Sequence, residues 1–98
     1  MELKMTSIAG TMESSDIMVT LSPGVGKIEV DLNSTVEKQF GREIRRVILE
    51  TLDELGIRSA KVTAVDKGAL NCAIRARVQT AAYRAAQTDD YQWGGACK

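Results

Sequence analysis

Val36, Phe40, Ile44, Val47, Ile48, Leu52 and Leu55 recur mainly at steps of three and four. That period is helical and puts all of them on one face. Lys38, Arg42, Arg45, Arg46, Glu50 and Asp53 largely take the opposite face. Ser34-Thr35-Val36-Glu37 has the form of a capping box, in which the serine accepts from an amide one turn on and the glutamate reaches back. Gly41 weakens the helix by ~1 kcal/mol relative to alanine. Gly56 suits the left-handed residue that closes it. A helix of this length with one dry face must lie on another layer, and the flanking residues supply it.

Before the helix, Ile17, Val19 and Leu21 alternate with Met18 and Thr20, and Ile28, Val30 and Leu32 alternate with Lys27, Glu29 and Asp31. Period two predicts strands, and Ser22-Pro23-Gly24-Val25-Gly26 between them predicts a turn, so the pair reads as an antiparallel hairpin. After the helix, residues 61–65 read as a strand and Asp66-Lys67-Gly68 as a tight turn. Leu70, Cys72 and Ile74, alternating with Asn71, Ala73 and Arg75, read as the return strand. From Ala76 the pattern turns helical, with Val78, Ala81, Ala82 and Ala85 on one stripe. Ser7-Ile8-Ala9 could add a short strand, but Gly10 and the small polar residues after it read as loop. The expectation is an α+β two-layer sandwich of antiparallel strands, order ββαββα, with one long and one shorter helix. Residues 1–15 are expected to be a flexible leading segment, 16–86 a single domain, and 87–98 a mobile tail in which Tyr91 and Trp93 could dock on a partner.

A chain of 98 residues has room for one modest core. Its 13 basic and 13 acidic residues cancel, which argues against a general polyanion binder but leaves room for a local basic patch. No apolar run approaches the ~20 residues that span a bilayer, and Met1-Glu2-Leu3-Lys4 has no apolar stretch behind it, so neither a membrane span nor a signal peptide is expected. Cys72 and Cys97 read as free thiols of a reducing cytoplasm. With no histidine and no C-x-x-C, a zinc site is not expected.

The stretch Glu13-Ser14-Ser15-Asp16 poses the functional question. A serine nucleophile needs a base, usually histidine and sometimes lysine. There is no histidine, and no lysine stands near Ser14 in sequence. Glu13 and Asp16 read as solvated loop acids, not a catalytic pair. Pro23-Gly24-Val25-Gly26-Lys27 lacks the spacing of a phosphate loop and leads into a strand. No catalytic set emerges. A serine in a flexible acidic loop instead suits modification by another enzyme, for which exposure and a mobile backbone are the requirements.

Three blocks carry a family pattern: Ile8-Ala9-Gly10-Thr11 followed by Glu13-Ser14-Ser15-Asp16; residues 34–41, Ser-Thr-Val-Glu-Lys-Gln-Phe-Gly; and residues 66–77, Asp-Lys-Gly-Ala-Leu-Asn-Cys-Ala-Ile-Arg-Ala-Arg. In this order, and over roughly residues 1–86, the chain resembles the acyl carrier protein, or gamma chain, of citrate lyase. Thr35 and Asn71 stand where that pattern has Ser and Asp, and Ser15 stands where some relatives have glycine. The resemblance implies a non-catalytic carrier. The family serine matching Ser14 bears a phosphoribosyl dephospho-coenzyme A group through a phosphodiester, and its thiol carries acetyl or citryl. The implied partners are a transferase alpha chain, a lyase beta chain and the enzyme that attaches the group; the net reaction is cleavage of citrate to acetate and oxaloacetate. Ser15 is the second attachment candidate. The Asp-Ser-Leu motif and all-helical pattern of fatty-acid carrier proteins are absent.

Three alternatives stay open: the carrier subunit of malonate decarboxylase, which uses a related arm; a small nucleic-acid-binding module built on Arg42, Arg45, Arg46, Arg75 and Arg77; and an interaction subunit whose serines stay unmodified. Arg75 and Arg77, read as one face of the return strand, are expected to help docking or to hold the arm's phosphates.

Overall fold

The structure, a computed structural model, describes residues 2–34 and 37–86. Its elements run β1 (Ser7–Gly10), β2 (Ile17–Pro23), β3 (Ile28–Ser34), α1 (Glu37–Glu54), β4 (Ala60–Asp66) and α2 (Asn71–Ala86). The strands form one sheet in the order β1-β2-β4-β3. Ile17, Val19, Leu21, Val62 and Ala64 point from it into a core completed by Ile44, Val47, Ile48 and Leu52 of α1 and by Ile74, Val78, Ala81, Ala82 and Ala85 of α2. Four strands, two helices and two layers therefore realise the α+β sandwich expected from the sequence.

Two placements inside that architecture differ from the expectation. The first concerns β2 and β3, which run in opposite directions but are not hydrogen-bonded neighbours. β4 lies between them, antiparallel to β2 and parallel to β3. The connection through α1 explains the parallel pairing. A helix laid on one face returns the chain to the end where β3 began, so β4 must run the same way. Room for β4 depends on Gly24. A side chain there would stand 2.6 Å from the Ala60 amide nitrogen, closer than real contacts come.

The second is the segment 70–75, expected as a strand but observed as loop and first turn of α2. The alternating residues do not share an inward face: Leu70 is 73% exposed and Cys72 is exposed. Ile74 instead joins Val78 four residues on, Ala82 and Ala85, which is helical spacing. The surrounding alanines favour the helix as well. Ser7–Gly10 supplies the remaining strand, paired from Ser7↔Leu21 to Gly10↔Met18.

Residues 4–10 are accordingly not a loose leader. The amides of Lys4 and Met5 both donate to the Ala85 carbonyl, Ser7 Oγ donates to the Ala81 carbonyl, and Arg84 donates to the Ile8 carbonyl at 3.0 Å. Leu3 is buried in the core. The capping-box residues Thr35 and Val36 and the tail 87–98, with Tyr91, Trp93 and Cys97, lie outside the described residues. Among the described residues, no helix is long and apolar enough to cross a membrane, and no cluster of acids and cysteines is placed to hold a metal.

Candidate functional site

The β1–β2 connection, Thr11 to Asp16, is a compact turn. The Asp16 amide donates to the Glu13 carbonyl at 3.2 Å, which makes Ser14 and Ser15 the two central residues. Both are exposed. Ser14 Oγ has no hydrogen-bond partner among the described residues. Ser15 has φ 65°, the left-handed region that favours glycine. Ser15→Gly is expected to leave the fold intact and to raise stability by at most about 1 kcal/mol, because relief of the strained φ is partly offset by glycine's greater entropy loss. Urea denaturation measures it.

The turn is held from both sides, contrary to the flexible loop expected. The Ser15 amide donates to the Lys67 carbonyl and the Lys67 amide to the Asp16 carbonyl, each at 2.8 Å. On the other side, Asp16 accepts a two-pronged pair from Arg77, Nε to Oδ1 at 3.1 Å and a terminal nitrogen to Oδ2 at 2.9 Å. Thr11 Oγ1 donates to the same carboxylate at 2.6 Å and the Ile17 amide at 2.7 Å. Asp16 is thus the hub of the turn.

Burial of the Asp16 carboxyl would raise its pKa, but the bonds from Arg77, Thr11 and the Ile17 amide, with the Arg77 charge, outweigh it. They lower the value from an ordinary 3.8 to about 2. A carboxyl whose pKa is lower folded than unfolded contributes stability that is complete above about pH 4 and is lost as pH falls through 2. The protein is expected to lose stability over that window, and the Asp16→Asn variant to show a flatter dependence there. Urea denaturation at stepped pH reads the difference.

Arg75 and Arg77 do not form one basic face. On a helix, residues two apart point roughly 200° away from each other. Arg75 turns to α1, where it pairs with Glu50 and Glu54; Arg77 turns to Asp16. Arg46 is paired with Glu43 and Glu50. Arginines expected to meet phosphates are therefore engaged within the fold, and Arg77 acts by fixing the turn.

Asp66 closes the same end of the sheet. It is 1% exposed and accepts from Ser34 Oγ at 2.9 Å, from the Gly68 amide at 3.1 Å and from the Ala69 amide at 3.0 Å. These bonds fix the 66–70 loop, which borders the serine turn on one side. On its other side it forms a half-open groove of about 550 Å³ with the start of α1, lined by Phe40, Ile44, Ala69 and Leu70 among others. Phe40, expected on the buried stripe of α1, is 51% exposed.

The sequence offered Ser14 and Ser15 as candidates, and the structure adds the Asp16–Arg77 pair, the Lys67 link and the groove, which were not among the expectations from sequence. Arg77 was hidden by its assignment to a strand. The groove was foreshadowed by Phe40 at the α1 start and Leu70 beside the Asp66-Lys67-Gly68 turn, two large apolar residues at elements that meet.

The family model described as malonate decarboxylase delta subunit (MdcD), an ACP family, matches residues 4–85. The citrate lyase acyl carrier protein of Streptococcus mutans is 58% identical over 95% of this chain and 92% of its own length. That of Oenococcus oeni is 57% identical over 95% of this chain and 97% of its own length. Among solved structures, a chain of a Pseudomonas malonate decarboxylase hetero-tetramer in complex with malonate superimposes with a TM-score of 0.67. It covers 86% of this chain and 91% of that one at 19% identity, a likeness of fold. With more than half of its residues shared with curated relatives along nearly the whole chain, and with that fold, the protein belongs to the citrate lyase acyl carrier protein family.

Proposed function

We propose that this chain is the acyl carrier subunit of citrate lyase and that Ser14 anchors a phosphoribosyl dephospho-coenzyme A arm through a phosphodiester. Membership of the family makes the chain a carrier and not the catalyst. When attached, the arm supplies a thiol for an acetyl or citryl thioester, in cleavage of citrate to acetate and oxaloacetate. The proposed partners are the alpha transferase chain, the beta lyase chain and the enzyme that attaches the arm, in the cytoplasm.

One observation carries the choice of the turn: two exposed hydroxyls, those of Ser14 and Ser15, stand at the centre of a turn fixed from both flanks. The surroundings suit a phosphodiester. Arg77 offsets the Asp16 charge, so the phosphate would not face an uncompensated carboxylate there. Ser14 also precedes the residue with constrained φ, and its amide is not one of those tied to Lys67. Ser15 is the weaker candidate on both counts.

The family-model description favours a second reading, the carrier of malonate decarboxylase. Identities of 57–58% to citrate lyase carriers weigh against it. A nucleic-acid module is disfavoured by net neutrality and by arginines already paired with carboxylates.

The test is intact-mass measurement of protein from its native host during citrate utilisation. The expected result is an added nucleotide-sized group that fragmentation places on Ser14. An unmodified mass from cells with active citrate lyase would overturn the reading.

A further inference from the structure

We propose that the groove between the start of α1 and the 66–70 loop seats the adenine ring of the arm on Ser14. This rests on the carrier reading above and adds a binding site to it.

Position comes first. The 66–70 loop is common to both features. Lys67 exchanges two backbone hydrogen bonds with Ser15 and Asp16, while Asp66, Gly68, Ala69 and Leu70 line the groove. The serine turn and the cavity therefore flank the same loop. From the serine the arm runs through its phosphoribosyl unit to the adenosine and only then to the pantetheine tail, so the base lies nearer this groove than the tail does.

Shape and chemistry agree. A cavity of about 550 Å³ falls within the range of small-molecule sites. Its walls are mainly apolar, with Phe40, Ile44, Ala69 and Leu70 beside Glu43, Asp66 and Asn71. Phe40 and Leu70 leave much of their surface in water, 51% and 73%. A flat base laid against the Phe40 ring recovers that loss, and stacking on an aromatic face suits a purine. Asn71 at the rim carries a carboxamide with both a donor and an acceptor, the pair of functions that a purine edge takes. The cavity wall is also preorganised. The buried Asp66 carboxylate holds the Gly68 and Ala69 amides in place, so seating the base requires little ordering of the loop.

A seated base would shorten the free part of the arm. The remaining chain would swing from the mouth of the groove and not from the serine itself.

The experiment compares loaded and unmodified full-length protein by NMR, with loading confirmed by intact mass. In the loaded protein, adenine protons are expected to give nuclear Overhauser contacts to the Phe40 ring and the Leu70 methyls, and the Ala69 and Leu70 amides to shift. Phe40→Ala is expected to lose those contacts while keeping the added mass on Ser14. Loaded protein whose adenine protons resemble free nucleotide would overturn the inference and leave the carrier reading intact. Contacts from the pantetheine tail in place of the base would overturn it equally. Absence of added mass from native-host protein would overturn the carrier reading and this inference together.

Discussion

Ser14→Ala is expected to abolish loading of the arm while leaving the fold unchanged. Intact mass should fall to that of the bare chain, with thermal stability within about 0.5 kcal/mol of the parent, the usual range for an exposed position. The reason lies in what Ser14 does not do. Its side chain is exposed and bonds to nothing among the described residues, whereas the turn is held by Asp16, Thr11, Arg77 and Lys67. Removing one oxygen deletes the proposed attachment point and no hydrogen bond among the described residues. Ser15→Ala is the matched control. It keeps a non-glycine residue at φ 65° and is expected to load normally. If instead Ser15→Ala stays bare and Ser14→Ala loads, the anchor is one residue further on.

Gly10→Ala has the largest expected effect on stability. Gly10 has φ 96°, and an added Cβ would sit 1.8 Å from the Ile17 carbonyl oxygen and 3.2 Å from the Arg77 side chain. The first obstacle is backbone, which cannot swing aside as a side chain can. Relief requires β1 and β2 to separate where they enter the serine turn, with loss of ladder bonds at Gly10↔Met18. Conformational strain and lost pairing together are expected to cost about 3 kcal/mol or more. For a domain of this size that lowers Tm by roughly 12–24 °C. A calorimetric scan showing a drop of only a few degrees would mean that the strands part more easily than their register implies. The loss should extend to loading, because the turn begins at this residue.

The long helix was legible because seven positions obeyed one period and four of them, Ile44, Val47, Ile48 and Leu52, are now found buried. Phe40 obeyed the same period and is half exposed, since the period says which residues share a face and not how far the opposing layer extends. Residues 70–75 satisfied a two-residue alternation by coincidence. Only Ile74 of the three apolar positions points inward, and packing with Val78 and Ala82 decided for helix. The position of β4 was illegible for another reason. A short link between two alternating segments predicts a hairpin, but pairing with a strand that arrives after an 18-residue helix is a long-range event without a local signature. The site divides the same way. Ser14 and Ser15 could be named from their neighbours in sequence. The Asp16–Arg77 pair joins residues 61 apart and becomes visible only when α2 is recognised as a helix.

That pair has a mechanical consequence. Bidentate geometry restrains both translation and rotation, so the turn cannot pivot about Asp16 without breaking two charge-assisted bonds. The base of an arm fixed here therefore moves as one body with α2. In the proposed carrier, flexibility would then lie in the arm's own torsions, and the protein would act as a stiff mast with a hinged boom. A partner that grips α2 would thereby set the origin from which the boom sweeps, and two partners gripping it differently would place that origin at two different active sites.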